Sequence, residues 1–157
     1  ARWAPSCFGD QPWKFIIFQK KDALQWVNAL NCLSVGNQNW AMDTSLLICV
    51  CANKKFKHNG NENKWSQYDT GAASENICLQ STYLGLAAHQ MGGFDSDKIR
   101  NLANIPVEFD VMSFIAVGKP LAKKLMTNEQ AEAEGSERKR LKLNEIYFEN
   151  KWDNFEG

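Results

Sequence analysis

The sequence predicts an α+β domain whose sheet is covered by helices on its faces. Three observations carry that expectation. Short apolar runs of strand length recur along the chain, helical periodicity separates them, and one long helical stretch is apolar on more than one face. At 157 residues the chain suits one domain with a real core, and we read 1–157 as that single domain.

The elements follow in order. Residues 1–4 read as the last turn of a helix, because Pro5 disfavours helical geometry at Ala4. "WKFIIFQ" (13–19) is apolar, aromatic and β-branched, hence a buried strand. "KDALQWVNALNCL" (21–33) sets Leu24, Val27 and Leu30 at helical spacing, with Asp22 near the start. "SLLICVCAN" (45–53) is a second buried strand; on it Cys49 and Cys51 would share one face as small buried hydrophobes.

The stretch 65–91 is the longest helical signal. Ala73, Ile77, Leu84 and Ala88 form one stripe, and Ala72, Leu79, Tyr83 and Leu86 another, so a central buried helix is expected. "GGFD" breaks it, and "SDKIRNLANI" restarts a short helix capped by Asp95 or Ser96. "VMSFIAVGKP" (111–120) is a third strand, and 121–136 reads as a surface excursion. The tail 143–155 has strand character around Ile146–Phe148. With Trp152 and Phe155 it carries enough apolar surface to need a packing partner, such as a second subunit.

Composition narrows the function classes. Apolar content of 44% with 23% charged residues is that of a globular protein, and a net charge of zero argues against a general nucleic-acid binder. The apolar runs are too short to cross a bilayer, and no secretory signal pattern is present. Five cysteines without disulfide-like spacing suggest a reducing, cytoplasmic setting. Two His residues and no CxxC pair argue against a zinc site, so no metal ligands are assigned.

Four local features could carry chemistry, and each has a plainer reading. In the turn "PSCFGDQP" the Pro5–Ser6 pair is followed by small residues such as Cys7, which leaves successive backbone N–H groups after the proline free to face an anion or a heteroaromatic edge. Gln11 adds a donor and acceptors suited to a ring of alternating N–H and C=O groups. It could equally be an ordinary helix-to-strand connection. In "HQMGGFD" the two glycines, Gly92 and Gly93, permit close approach to a flat ligand, or simply stop a helix. Asn37 is a ligand contact or a turn residue. Arg138 and Arg140 could fork around a phosphate, or form a solvated charge run, as the basic stretch 53–64 also could.

Taken together and in order, these pieces resemble the FMN-dependent nitroreductase family. "ARWAPSCFGDQPWKFII", "VGNQNWAMDTSLLI", "YDTGAASENICLQSTYLGLAAHQMGGFD", "IAVGKP" and "RKRLKLNEIYFENKW" carry the resemblance over residues 1 to about 152. It implies a central mixed or antiparallel sheet flanked by helices. It also implies an interlocked homodimer with two FMN sites at the subunit interface, each built from both chains. Chemistry would run from NAD(P)H through flavin N5 to nitroaromatics, quinones or similar small acceptors by a ping-pong mechanism, with no dedicated catalytic side chain. The flavin would meet Pro5, Ser6, Cys7, Gln11 and Asn37. The Met91–Gly92–Gly93 loop would face N5, with Gly92 the donor, and Arg138 and Arg140 would meet the phosphate. The family's basic N-terminal segment has no counterpart here, so the expectation is either a missing natural start or a reduced phosphate grip. A specialised, dehalogenase-like or flavin-cleaving relative and a non-catalytic flavin-binding protein are the competing readings.

Overall fold

The computed structural model describes residues 1–152, and the chain divides into two units, Ala1–Pro120 and the part from Leu121 onward. The first unit is built on a four-stranded antiparallel sheet of order β1-β2-β4-β3. Its strands are β1 (Trp13–Gln19), β2 (Leu46–Asn53), β3 (Ala87–Met91) and β4 (Phe109–Gly118). Its helices are α1 (Ala23–Leu30), α2 (Val35–Ala41), α3 (Ser66–Tyr83) and α4 (Ser96–Leu102).

β2 is an inner strand, paired with β1 on one side and β4 on the other, and its residues 47–52 are all buried. That is why its sequence is an unbroken apolar run rather than an alternation. Leu47, Cys49 and Cys51 join Trp26, Ala29, Ala41, Ile99 and Phe114 in the main core, which lies under α1, α2 and α4. Ile48 and Val50 point the other way and pack with Ile115, Val117, Ile77 and Cys78, beneath α3. The sheet is thus covered on both faces. Cys49 and Cys51 do share a face, with their Sγ atoms 3.9 Å apart.

Several expectations need correction. The helix predicted over 65–91 stops at Tyr83; Gly85 takes φ 72°, and Ala87–Met91 then runs antiparallel to β4 as an edge strand. A left-handed residue just past a helix is a standard stop, and glycine takes it without strain. Nor is α3 buried all round. Its inward stripe is Ser66, Asp69, Thr70, Ala73, Ser74 and Ser81, whereas Tyr68, Leu79, Tyr83 and Leu84 are exposed. In α1 the buried residues are Trp26 and Ala29, while Leu24 and Val27 of the expected stripe face solvent. Asp22 does cap α1, and Asp95 caps α4 by accepting from the Lys98 N–H at 2.9 Å. Residues 1–4 form a single turn closed by Ala4 N–H to Ala1 O, not an assigned helix.

The second unit contains α5 (Asn128–Gly135), started by a Thr127–Gln130 capping box. A short 3-10 turn follows at Leu143–Glu145, and no strand forms around Ile146–Phe148. Tyr147 donates to Glu149 at 3.1 Å, and the rings of Phe148 and Trp152 lie 5.2 Å apart. Phe155 lies outside the described residues.

Candidate flavin site

The candidate residues fall into three groups. Pro5, Ser6, Cys7 and Gln11 form a self-tied turn ahead of β1. The Cys7 N–H donates to Asp69 Oδ2 at 3.0 Å, the Gln11 N–H to Ser6 Oγ at 3.0 Å, and the Gly9 N–H to Ser6 O at 2.9 Å. The idea that successive N–H groups here are free for a ligand is therefore corrected: Cys7, Gly9, Asp10 and Gln11 all spend their donors inside the protein. What the turn offers outward is the exposed Pro5 ring and the half-buried Ser6 and Cys7 side chains.

Holding that shape has a cost. Phe8 and Gln11 sit at φ 53° and 50°, a region where a residue with a Cβ is strained by roughly 1–3 kcal/mol. Lys57 offsets it. Its ammonium donates to the carbonyls of Asp10 and of Gln11 (3.0 Å to the latter), and its N–H donates to Asp10 Oδ1 at 2.9 Å. Ala4 and Trp13 on either side of the turn bury against Ala73, so the turn is fixed to the α3 face of the sheet.

Asn37, Met91, Gly92 and Gly93 form the second group, on the other face. Asn37 Nδ2 donates to Gly93 O at 3.0 Å, and the Ser34 N–H donates to the same oxygen at 2.9 Å. A Cβ on Gly93 would lie 2.8 Å from Ser34 Oγ and 2.9 Å from Asn37 Nδ2, so this close approach requires glycine. Neither Gly92 nor Gly93 adopts a positive φ; close approach, not unusual backbone geometry, explains the pair. At Gly92 a Cβ would meet nothing within 4 Å, and among the described residues its N–H donates to no group of the chain. Met91, by contrast, is buried in the main core and anchors the end of β3 opposite Phe114.

Arg138 and Arg140 are exposed in the second unit, on irregular backbone after α5. Arg140 donates from Nη1 to the Lys139 carbonyl at 2.9 Å.

Two residues missed in the sequence belong to these groups. Asp69, buried at 5% exposure, supplies the carboxylate that pins Cys7. Ser34 stands at the head of α2 without a side-chain cap bond, its hydroxyl beside Gly93. A serine ahead of "VGNQ" was the available signal for the second; the first had none, being a contact across 62 residues.

The first two groups are far apart within one chain. The turn precedes β1 and the Gly92–Gly93 loop follows β3, and these strands are the two edges of the sheet. Three interstrand spacings separate them, roughly 14 Å, and they lie toward opposite faces.

Comparison with known proteins places this geometry. The nitroreductase family profile matches residues 24–119. A protein of Archaeoglobus fulgidus named "Putative NADH dehydrogenase/NAD(P)H nitroreductase" is 30% identical over 124 residues, covering 76% of this chain and 68% of that one. A crystal structure described as an oxidoreductase containing FMN matches with TM-score 0.87 and 31% identity, over 98% of this chain and 78% of that one. A nitroreductase family protein of Clostridium difficile 630 shares the fold at TM-score 0.68 and 24% identity, over 96% and 80%. The chain is an α+β protein with the nitroreductase fold. It belongs to the nitroreductase family.

Proposed function

We propose that this protein is an FMN-dependent oxidoreductase. It passes hydride from NAD(P)H to nitroaromatics, quinones or similar small acceptors in a ping-pong cycle, in the cytoplasm, as a homodimer. The whole of 1–157 serves as one flavin-binding domain. When bound, FMN supplies the reversible hydride carrier at N5.

The observation that carries this reading is Gly92: an exposed residue whose N–H, among the described residues, donates to no group of the chain, beside a Gly93 held by the Asn37 side chain. Such a donor can stabilise charge developing on a planar ring without any side-chain acid. Asn37 spends its amide N–H on Gly93, which leaves its Oδ1 to accept from a ring N–H. These residues fit a flavin edge. The opening turn fits as a contact surface through Pro5, Ser6, Cys7 and Gln11, since the N–H groups of Cys7, Gly9, Asp10 and Gln11 are committed inward. Arg138 and Arg140 would neutralise the phosphate.

The separation of the turn from the Gly92 loop supports a site assembled from two copies, one chain lending the turn and the other the loop. The exposed apolar side chains on α3 (Tyr68, Leu79, Tyr83) supply a face for that pairing. The test is direct. Purified protein should carry or take up FMN, bleach with NADH or NADPH under anaerobic conditions, and recover its colour on adding a quinone or nitroaromatic. Binding of FMN without bleaching would leave a non-catalytic flavin protein; no binding would reject the reading.

A further inference from the structure

Within the basic stretch 53–64, Lys57 braces the opening turn, but Lys54, Lys55, Glu62, Asn63 and Lys64 play no part in the flavin reading and line a cleft of about 520 Å³ at the start of α3. Lys54, Lys55 and Lys64 line it together with Ser66 and Gln67 of the first helical turn. Asn63 also lines the cleft. It is buried at 2% exposure, and its Oδ1 accepts from the Trp65 N–H at 3.1 Å, but its Nδ2 donor has no partner. α3 is 18 residues long; the Ser66 N–H donates to the Asn63 carbonyl at 3.0 Å, and among the described residues the next two N–H groups, of Gln67 and Tyr68, have no acceptor.

Charge points the same way. Asp110 on the cleft wall is already met by Gln67 Nε2 at 3.0 Å and by Lys54 Nζ at 3.9 Å. Among the described residues Lys55 and Lys64 form no ion pair, leaving them against Glu62 alone. A buried unpaired amide, two ammonium groups without an ion pair (Lys64 lies over the Trp65 ring at 5.1 Å) and the start of α3 thus line one cleft as donors. A tetrahedral oxyanion presents acceptor oxygens in several directions at once, which a flat carboxylate does not.

We propose that this cleft binds a phosphate group, held by Lys55, Lys64, the Asn63 amide and the N-terminus of α3. Free phosphate and a nucleotide monoester share this chemistry, and the assay separates them. Binding of inorganic phosphate and of adenosine 2′-monophosphate to the full chain is measured by calorimetry. Saturable binding of either supports the site, and the tighter ligand identifies the source. Lys55→Gln and Lys64→Gln, both surface changes, should each weaken binding about tenfold, and Glu62→Gln should tighten it. Asn63→Asp keeps the acceptor for Trp65 while removing the donor, and should abolish binding in protein shown to be folded. Absence of saturation by both ligands would overturn the proposal, as would an affinity unchanged in the two lysine variants.

Discussion

Asn37 donates its side-chain amide to the carbonyl oxygen of Gly93 across 56 residues of sequence, at 3.0 Å, and this bond ties the head of α2 to the loop after β3. The same oxygen accepts from the Ser34 N–H, so the loop is held by two donors from one short segment. Gly93 is consequently fixed, whereas its neighbour Gly92 faces open space.

These two glycines should therefore respond differently to the same change. In Gly93→Ala the new methyl would collide with Ser34 Oγ and Asn37 Nδ2, and overpacking of this kind costs about 1–3 kcal/mol. Flavin affinity should fall with it. Gly92→Ala meets nothing and should stay within about 0.5 kcal/mol of the parent. Urea unfolding and FMN titration of both variants check the contrast; equal losses would contradict it.

Gly92→Pro separates the donor from the side chain. Proline deletes the N–H proposed to face N5, while Gly92→Ala keeps it. Flavin reduction by NADPH, followed in a stopped-flow instrument on folded, FMN-loaded protein, should slow in the first variant and little in the second. A loaded Gly92→Pro protein reducing at the parental rate would remove Gly92 from that role.

Asp69 should matter as an acceptor. Its carboxylate takes the Cys7 N–H, and a hydrogen bond to a charged group is worth about 1.5–3 kcal/mol. Asp69→Ala should lose that much stability and loosen the opening turn, while Asp69→Asn, which retains an oxygen acceptor, should lose less. Denaturation midpoints and proteolysis near Cys7 report the two effects.

Much of the fold is legible in the sequence because the relevant signals are local. β1 and β2 are long apolar runs, and the caps of α1 and α4 are aspartates placed where a helix needs an acceptor. β3 was hidden because "AAHQM" is poor in β-branched residues and continues a helical pattern; only Gly85 marks the change. The burial of α3 was misread because its inward stripe is small and polar and its apolar residues point out. Sequence shows which face is apolar, but not whether the same chain covers it. At the candidate site, Asn37 and the glycines were visible as residue types. Their bond to one another, and the internal commitment of the turn's N–H groups to Asp69 and Ser6, are tertiary pairings without a local signature.

Buried thiols give a pH dependence. Burial raises the pKa of Cys32 and of Cys78 above the ordinary 9.0, and Cys49 is raised by its contact with Cys51 and by burial. A raised folded value means that the stabilisation is complete below 9.0, the unfolded value, and is lost as pH rises through the folded values. Thiolate formation at Cys32 and at Cys78, followed residue by residue, should thus come at higher pH in the folded chain than in urea. Coincident titrations would contradict the burial of these side chains.

Arg138 and Arg140 are proposed to meet the FMN phosphate, so their loss should discriminate between flavins. Arg140→Ala should weaken FMN binding roughly 10- to 150-fold and leave riboflavin nearly unchanged. Equal weakening of both would reject the phosphate assignment.

In the proposed enzyme a working site takes its opening turn from one copy and its Gly92 loop from another. Subunit complementation tests it most directly. One variant carries a blocking change in the turn (Ser6→Trp), the other a blocking change in the loop (Gly93→Trp), and each alone should be inactive. Co-expressed with different affinity tags and purified through both, the mixed dimer contains one site with both parts intact. FMN-dependent NAD(P)H oxidation should therefore reappear in the doubly purified protein. A mixed dimer as inactive as its parents, or a protein that stays monomeric at micromolar concentration, would contradict the account.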